Sequence, residues 1–123
     1  MLVTDGTDSI QVLAKSIAGA LTGCQVKICA AELFEGTDLL PVEVFFLGCE
    51  KPNPASFAYL SDMLAHINLA GKSCGVFSTS AKALKYLSGL VKSCEAALGE
   101  PLLAKDGAIK TADLKKWLKG ILK

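Results

Sequence analysis

Strand-like and helix-like apolar patterns alternate from one end of this 123-residue chain to the other, and that alternation limits the fold more than any single motif does. After the apolar triplet Met1, Leu2, Val3, the residues Ile10, Leu13, Ala14, Ile17, Ala18 and Leu21 recur at helical spacing. Asp8 followed three residues later by Gln11 reads as a capping box, which predicts a helix starting near Ser9 and closed by Gly23. QVKIC, residues 25 to 29, alternates with a period of two, as a half-covered strand does, and residues 32 to 39 read as a loop or a short helical turn. VEVFFLG (42 to 48) and SCGVFS (73 to 78) are almost continuously apolar, the pattern of strands covered on both faces. Between them, Asn53 as N-cap and Pro54 as first helical residue open a helix bearing Phe57, Leu60, Leu64 and Ile67. Ser80 is placed to cap a long helix carrying Leu84, Leu87, Val91, Cys94 and Leu98 that Gly99 ends. PLLA (101 to 104) gives a brief fifth strand, and Thr111 starts a last helix with Leu114, Trp117, Leu118, Ile121 and Leu122.

Five strands alternating with helices predict an α/β sandwich of three layers, a parallel sheet with helices on both faces, and residues 1–123 form one domain. Right-handed crossovers and the half-polar second strand select the order 2-1-3-4-5, with strand two at an edge. The first strand is then central, although the chain supplies only three or four residues for it.

Composition excludes several functions. Apolar residues make up 51% and charged residues 20%, a globular balance. No uncharged run approaches the ~18 residues of a membrane span, and no basic segment followed by an apolar stretch marks a signal peptide, so a cytoplasmic protein is expected. All thirteen cationic residues are lysine. Without arginine the chain lacks the bidentate fork that reads phosphate and guanine, which argues against nucleic-acid binding. Lys115, Lys116, Lys119 and Lys123 then read as the solvated face of the last helix. The five cysteines lie five to twenty-five residues apart with no CxxC pair, the spacing of reduced core thiols rather than of a zinc site.

In a sheet of this order ligands bind outside the carboxyl ends of strands one and three. The segments that meet there are residues 5 to 9, 49 to 53 and 78 to 82. The stretches AKSIAGAL, FFLGC, LAGKSCGVFSTS and YLSGLVKSCEAALG, in this order and spacing, resemble the flavodoxins over nearly the whole chain. The resemblance implies a flavodoxin-like fold, one non-covalently held FMN, and electron transfer with a redox partner protein. It implies cofactor contacts at Asp5, Gly6, Thr7, Asp8, Ser9 and Ile10 in the first loop. Cys49, Glu50, Lys51, Pro52 and Asn53 follow in the second, and Ser78, Thr79 and Ser80 in the third.

The first loop departs from the family's hydroxyl-rich phosphate pattern. Laid on that pattern, Thr7 matches, but Asp5 and Ile10 replace hydroxyls and Asp8 replaces a glycine; a register shifted by two puts Gly6 under the glycine and requires a two-residue insertion before the helix. An ionised carboxylate accepts hydrogen bonds and donates none, so Asp5 and Asp8 oppose a phosphate, with Lys51 and Lys82 as nearby compensating cations. The loops also lack the aromatics that sandwich the flavin ring in many flavodoxins: Pro52 stands on the second, and Leu84, aligned through Tyr86, at the third. Tyr86 itself reads as a helix residue packing near the rim.

Three readings follow, in this order. The leading one is FMN-dependent electron transfer; its alternative is a flavodoxin-like domain that has lost FMN and serves as a binding or interaction module. The third is a receiver-like domain with Asp5, Asp8, Glu50, Thr79 and Lys105 at the acid, hydroxyl and lysine positions, suited to Mg²⁺. Cys49, at the end of strand three, is read as a structural thiol before a nucleophile, and His66 as a surface residue away from the loops.

Overall fold

The computed structural model describes residues 1–21, 26–33, 35, 42–104 and 109–121. Strand β1 (Leu2–Thr4) is followed by helix α1 (Asp8–Ala20), β2 (Ile28–Ala30) and a 3-10 turn (Ala31–Leu33). Then come β3 (Val44–Gly48), a second 3-10 turn (Ala55–Phe57), α2 (Ala58–Leu64), β4 (Ser73–Ser78) and α3 (Ala81–Ser93). The short strands β5 (Ala97–Leu98) and β6 (Leu102–Leu103) precede α4 (Thr111–Ile121). Every strand pairing is parallel, and the order is β2-β1-β3-β4-β5, with β6 also on β4, as the sequence predicts.

The brevity of β1 is real but is offset by its position. Leu2 pairs with Ile28 on one side and Phe46 on the other, and Leu2, Val3 and Thr4 are fully buried. The Met1 carbonyl accepts the N–H of Phe46 at 2.8 Å, and Leu2 N–H donates to the Lys27 carbonyl at 2.8 Å. The ladder thus runs a step beyond the strand itself.

Alternation along β3 explains its unbroken apolar sequence. Phe45 and Leu47 face one layer, with Phe57, Leu60 and Leu64 from the α2 side and Leu84, Leu87 and Val91 from α3. Phe46 faces the other, with Ile10, Leu13 and Ile17 of α1 and Leu114, Leu118 and Ile121 of α4. Both sides of the strand are covered, so no polar position survives in it. Gly48 is needed where β3 passes β4, because a side chain there would run into the ring of Phe77. Gly75 likewise leaves room for Phe46 and Ile121.

Four expected boundaries shift. Helix α1 begins at Asp8, with Thr7 as N-cap in extended conformation (φ −69°, ψ 149°) and its carbonyl accepting Gln11 N–H at 2.9 Å. Asp8 therefore lies inside the helix instead of capping it. Asn53 is not an N-cap either: it sits in the left-handed region (φ 51°), which Asn tolerates, and Pro54 remains extended before the 3-10 turn. Ile67 lies beyond the end of α2. Helix α3 stops at Ser93, and Glu95 at φ 65° turns the chain out of it. Ala97 N–H then bonds the Lys72 carbonyl at 2.8 Å, so Ala97 and Leu98 join the sheet.

The fifth strand position is consequently split. Ala97 and Leu98 pair with Ser73 and Cys74, and Leu102 and Leu103 pair with Phe77 and Ser78. Gly99, Glu100 and Pro101 pass between them, where Pro101 has no N–H to give. The Trp117 indole N–H donates to the Glu100 carbonyl at 2.6 Å and holds this crossing against α4. Gln25 and most of residues 34 to 41 lie outside the described residues, as do Cys24, Lys105, Leu122 and Lys123.

Candidate functional site

At the carboxyl ends of β1, β3 and β4 the sequence places three short loops, and polar side chains tie each to its neighbour. Gly6 has φ 82°, which turns the β1–α1 loop back over the Asp5 side chain. Asp5 Oδ1 accepts the Thr7 N–H at 3.0 Å and the Thr7 hydroxyl at 2.7 Å. Asp5 Oδ2 accepts the N–H of Glu50 at 2.8 Å, across the crevice in the loop after β3. The Ser9 hydroxyl, on the first turn of α1, donates to Glu50 Oε2 at 2.9 Å. Asp5 and Ser9 therefore both join the first loop to Glu50 in the second.

The second join runs from β3 to β4. Ser78 is fully buried; its hydroxyl donates to the Cys49 carbonyl at 2.5 Å and accepts the Ser80 N–H at 3.0 Å. Ser80 occupies the N-cap position of α3, as predicted, but its side chain makes no capping hydrogen bond. In the same way Thr7 caps α1 through its carbonyl alone, since its hydroxyl is engaged with Asp5.

The candidate residues separate by exposure. Gly6 and Asp8 are exposed, as are Lys51, Pro52, Asn53 and the neighbouring Lys82. Asp5, Thr7, Ser9, Glu50, Thr79 and Ser80 are half-buried around the crevice. Ile10 and Cys49 are fully buried, Ile10 in the layer under α1 and α4 and Cys49 in the layer under α2 and α3. Only the backbone of these two residues is available to the loops.

Burial, with the nearby Asp5 charge adding to it, pushes the Cys49 thiol up to about 12. A thiol so raised is protonated at neutral pH and is a poor nucleophile, in keeping with the reading of Cys49 as a structural thiol. Leu84 does not stand at the loop: it is buried on the inner face of α3. Tyr86 packs on Phe57 with ring centroids 6.5 Å apart, a half-buried helix residue as read from the sequence. His66 is exposed, with Nδ1 2.8 Å from the Asp62 carbonyl oxygen one turn earlier on α2.

The receiver-like constellation is not assembled among the described residues. Both oxygens of Asp5 are engaged with the two loops, and no three His, Cys, Asp or Glu groups gather in a way that would hold a metal ion. Lys105 lies outside the described residues. What sequence reading missed is the pairing itself. Asp5 and Glu50 were separate candidates; the parallel β1–β3 register, which sets Thr4 beside Gly48, is what brings their loops into contact.

No family model and no curated protein matches this sequence. Solved structures do match, over nearly the whole chain. The Streptococcus pneumoniae TIGR4 flavodoxin superposes with a TM-score of 0.83 at 18% identity, covering 98% of this chain and 94% of its own. Oxidised flavodoxin 2 from Bacillus cereus gives 0.79 at 18%, covering 97% and 94%. A Fusobacterium nucleatum flavodoxin variant, described as bound to flavin mononucleotide, gives 0.71 at 12%, covering 98% and 93%. The chain has the flavodoxin-like α/β fold, and among its described residues no helix is long and apolar enough to cross a membrane.

Proposed function

We propose that this flavodoxin-like domain is a binding or interaction module, and not a carrier that holds FMN by its phosphate. The observation that supports this reading is the Asp5 carboxylate, which takes the Thr7 N–H, the Thr7 hydroxyl and the Glu50 N–H. Those are donors of the kind a phosphate needs, and here an anion of the chain itself uses them. A dianion brought to ~4 Å from one carboxylate would meet about 4 kcal/mol of repulsion per charge pair at an effective dielectric near 20. The amino end of α1 would return only ~0.3–1 kcal/mol, or about 2 in a partly buried geometry. Repulsion wins, and Asp8 and Glu50 beside the same loop add to it. The residues present do not fit the FMN phosphate.

The ring side supports the same reading. Residues 49 to 53 and 79 to 82 include no aromatic, so the ~0.5–1.5 kcal/mol that each stacked ring contributes beyond its burial is not on offer from these loops.

The second reading, an FMN-bearing electron carrier with a redox partner protein, draws its support from the fold neighbours, which are flavodoxins, one of them described with flavin mononucleotide. One measurement separates the two: the visible spectrum of the purified protein, followed by titration of FMN against quenching of flavin fluorescence. A colourless protein with no quenching at high-micromolar FMN is the expected result. Flavin absorption on purification, or saturable quenching at low-micromolar FMN, would return the electron-carrier reading.

A further inference from the structure

We propose that Asp5 is a built-in anion that makes the crevice select against phosphorylated ligands, so that its removal opens an anion seat between the first two loops. The proposal rests on the module reading above and sharpens it to one residue. Three donors from two separate loops converge on one carboxylate, at 2.7 to 3.0 Å. Two are backbone N–H groups, those of Thr7 and Glu50, on the loops that leave β1 and β3. The third, the Thr7 hydroxyl, rotates freely to any acceptor. Taking the Asp5 carboxylate away frees these three donors beside the first turn of α1, with Glu50, held by the Ser9 hydroxyl, as the acid that still joins the two loops. An N–H deprived of its acceptor in a half-buried loop seeks another, and a phosphomonoester oxygen is the strongest available.

The internal anion also has an advantage that a free ligand lacks. Asp5 is held two residues from Thr7 by the covalent chain, so it pays no translational or rotational cost to reach the site. A free phosphate must therefore overcome both the like charge and a competitor that never leaves.

The test compares FMN with riboflavin, which differ by the phosphate alone, on the full chain, on Asp8→Gly, which is expected to behave as the native chain, and on the double variant Asp5→Ser, Asp8→Gly. Affinities are read by flavin fluorescence, and inorganic phosphate is added separately while the melting temperature is followed. The native chain is expected to show no preference for FMN over riboflavin and no melting shift with phosphate. The double variant is expected to favour FMN by about tenfold or more, or to melt higher in phosphate. Asp5→Asn, which keeps the side-chain shape and an acceptor for Thr7, serves where the double variant does not fold; a gain in the same direction, though smaller, is expected.

A folded variant with neither an FMN preference nor a phosphate shift overturns the proposal and leaves the module reading standing. Equal and tight binding of both flavins by the native chain overturns the module reading but supports the exclusion of phosphate. A native chain that prefers FMN by tenfold overturns both.

Discussion

The buried hydroxyl of Ser78 donates to the carbonyl of Cys49 at 2.5 Å, joining the carboxyl ends of β4 and β3 at the floor of the crevice. The same oxygen accepts the Ser80 N–H, so one side chain satisfies two backbone groups that would otherwise lie buried or half-buried without a partner.

Ser78→Ala removes both bonds and offers nothing in their place. Each orphaned backbone group costs about 1–3 kcal/mol, so the variant is expected to lose about 2–6 kcal/mol in urea unfolding. A loss below about 0.5 kcal/mol would show that solvent reaches these groups.

Gly48→Ala tests the close passage of β3 against β4. The added methyl meets the Phe77 ring, which is itself fully buried and packed under α1 and α4. Overpacking of this sort costs about 1–3 kcal/mol, and the double variant with Phe77→Leu should recover part of it. A melting temperature equal to that of the native chain would contradict the packing described for this site.

The thiols predict a pH dependence with a definite sign. Burial raises Cys49 to about 12, and raises Cys74 and Cys94 above their ordinary value of 9.0 as well. Above pH 9 the unfolded chain gives up these protons while the folded chain keeps them, so folding stability falls as pH rises from 9 towards 12. Below pH 9 both states hold the protons and these thiols contribute no slope. Cys49→Ala should flatten the alkaline limb of the stability profile. An unchanged limb would mean that other groups, such as Tyr86 with its raised phenol, dominate it.

Thiol labelling gives an independent reading of the same burial. In a Cys24→Ser background at pH 8, Cys29, which is half-buried, should react with a thiol reagent well before the buried Cys49, Cys74 and Cys94. The buried three should react together, at the rate of unfolding. Fast modification of Cys49 in the folded protein would restore it as a candidate reactive group.

Trp117→Phe keeps the ring against Phe46, now 5.6 Å between centroids, but removes the indole N–H from the Glu100 carbonyl. The expected cost is about 1 kcal/mol, with faster amide exchange at Gly99 and Leu102 than elsewhere in the sheet. Equal exchange in native and variant proteins would show that the crossing does not depend on Trp117.

What the sequence made legible was whatever repeats with a period. The two-sided burial of β3 follows from Val44 to Leu47 being apolar without interruption, and the edge position of β2 follows from Lys27 between Val26 and Ile28. The end of α3 was not legible, because Leu98 lies four residues after Cys94 and fits helical spacing as well as it fits a strand. Only the pairing of Ala97 with Ser73, a contact distant in sequence, decides between them. The Asn53–Pro54 pair misled for a local reason: proline at ψ 148° remains outside the helix even though its φ of −67° suits the first turn.

The candidate site was legible in its membership and not in its wiring. Asp5 stood out as an acid where the resemblance expects a hydroxyl, yet nothing in the sequence says that its second oxygen reaches Glu50. That bond exists because a three-residue β1 ends level with Gly48, a matter of register that composition and periodicity do not encode.

The break between β5 and β6 also governs how the molecule behaves in a crowd of its own copies. An open strand edge is a template on which a second chain can add itself and begin an aggregate. Here that side of the sheet is exposed only two residues at a time, with Pro101 lacking a donor between the pieces and Trp117 fastened to the crossing. The opposite side ends in a three-residue strand preceded by the exposed Lys27. Among the described residues, neither border offers a ladder of more than three residues for a stranger to climb.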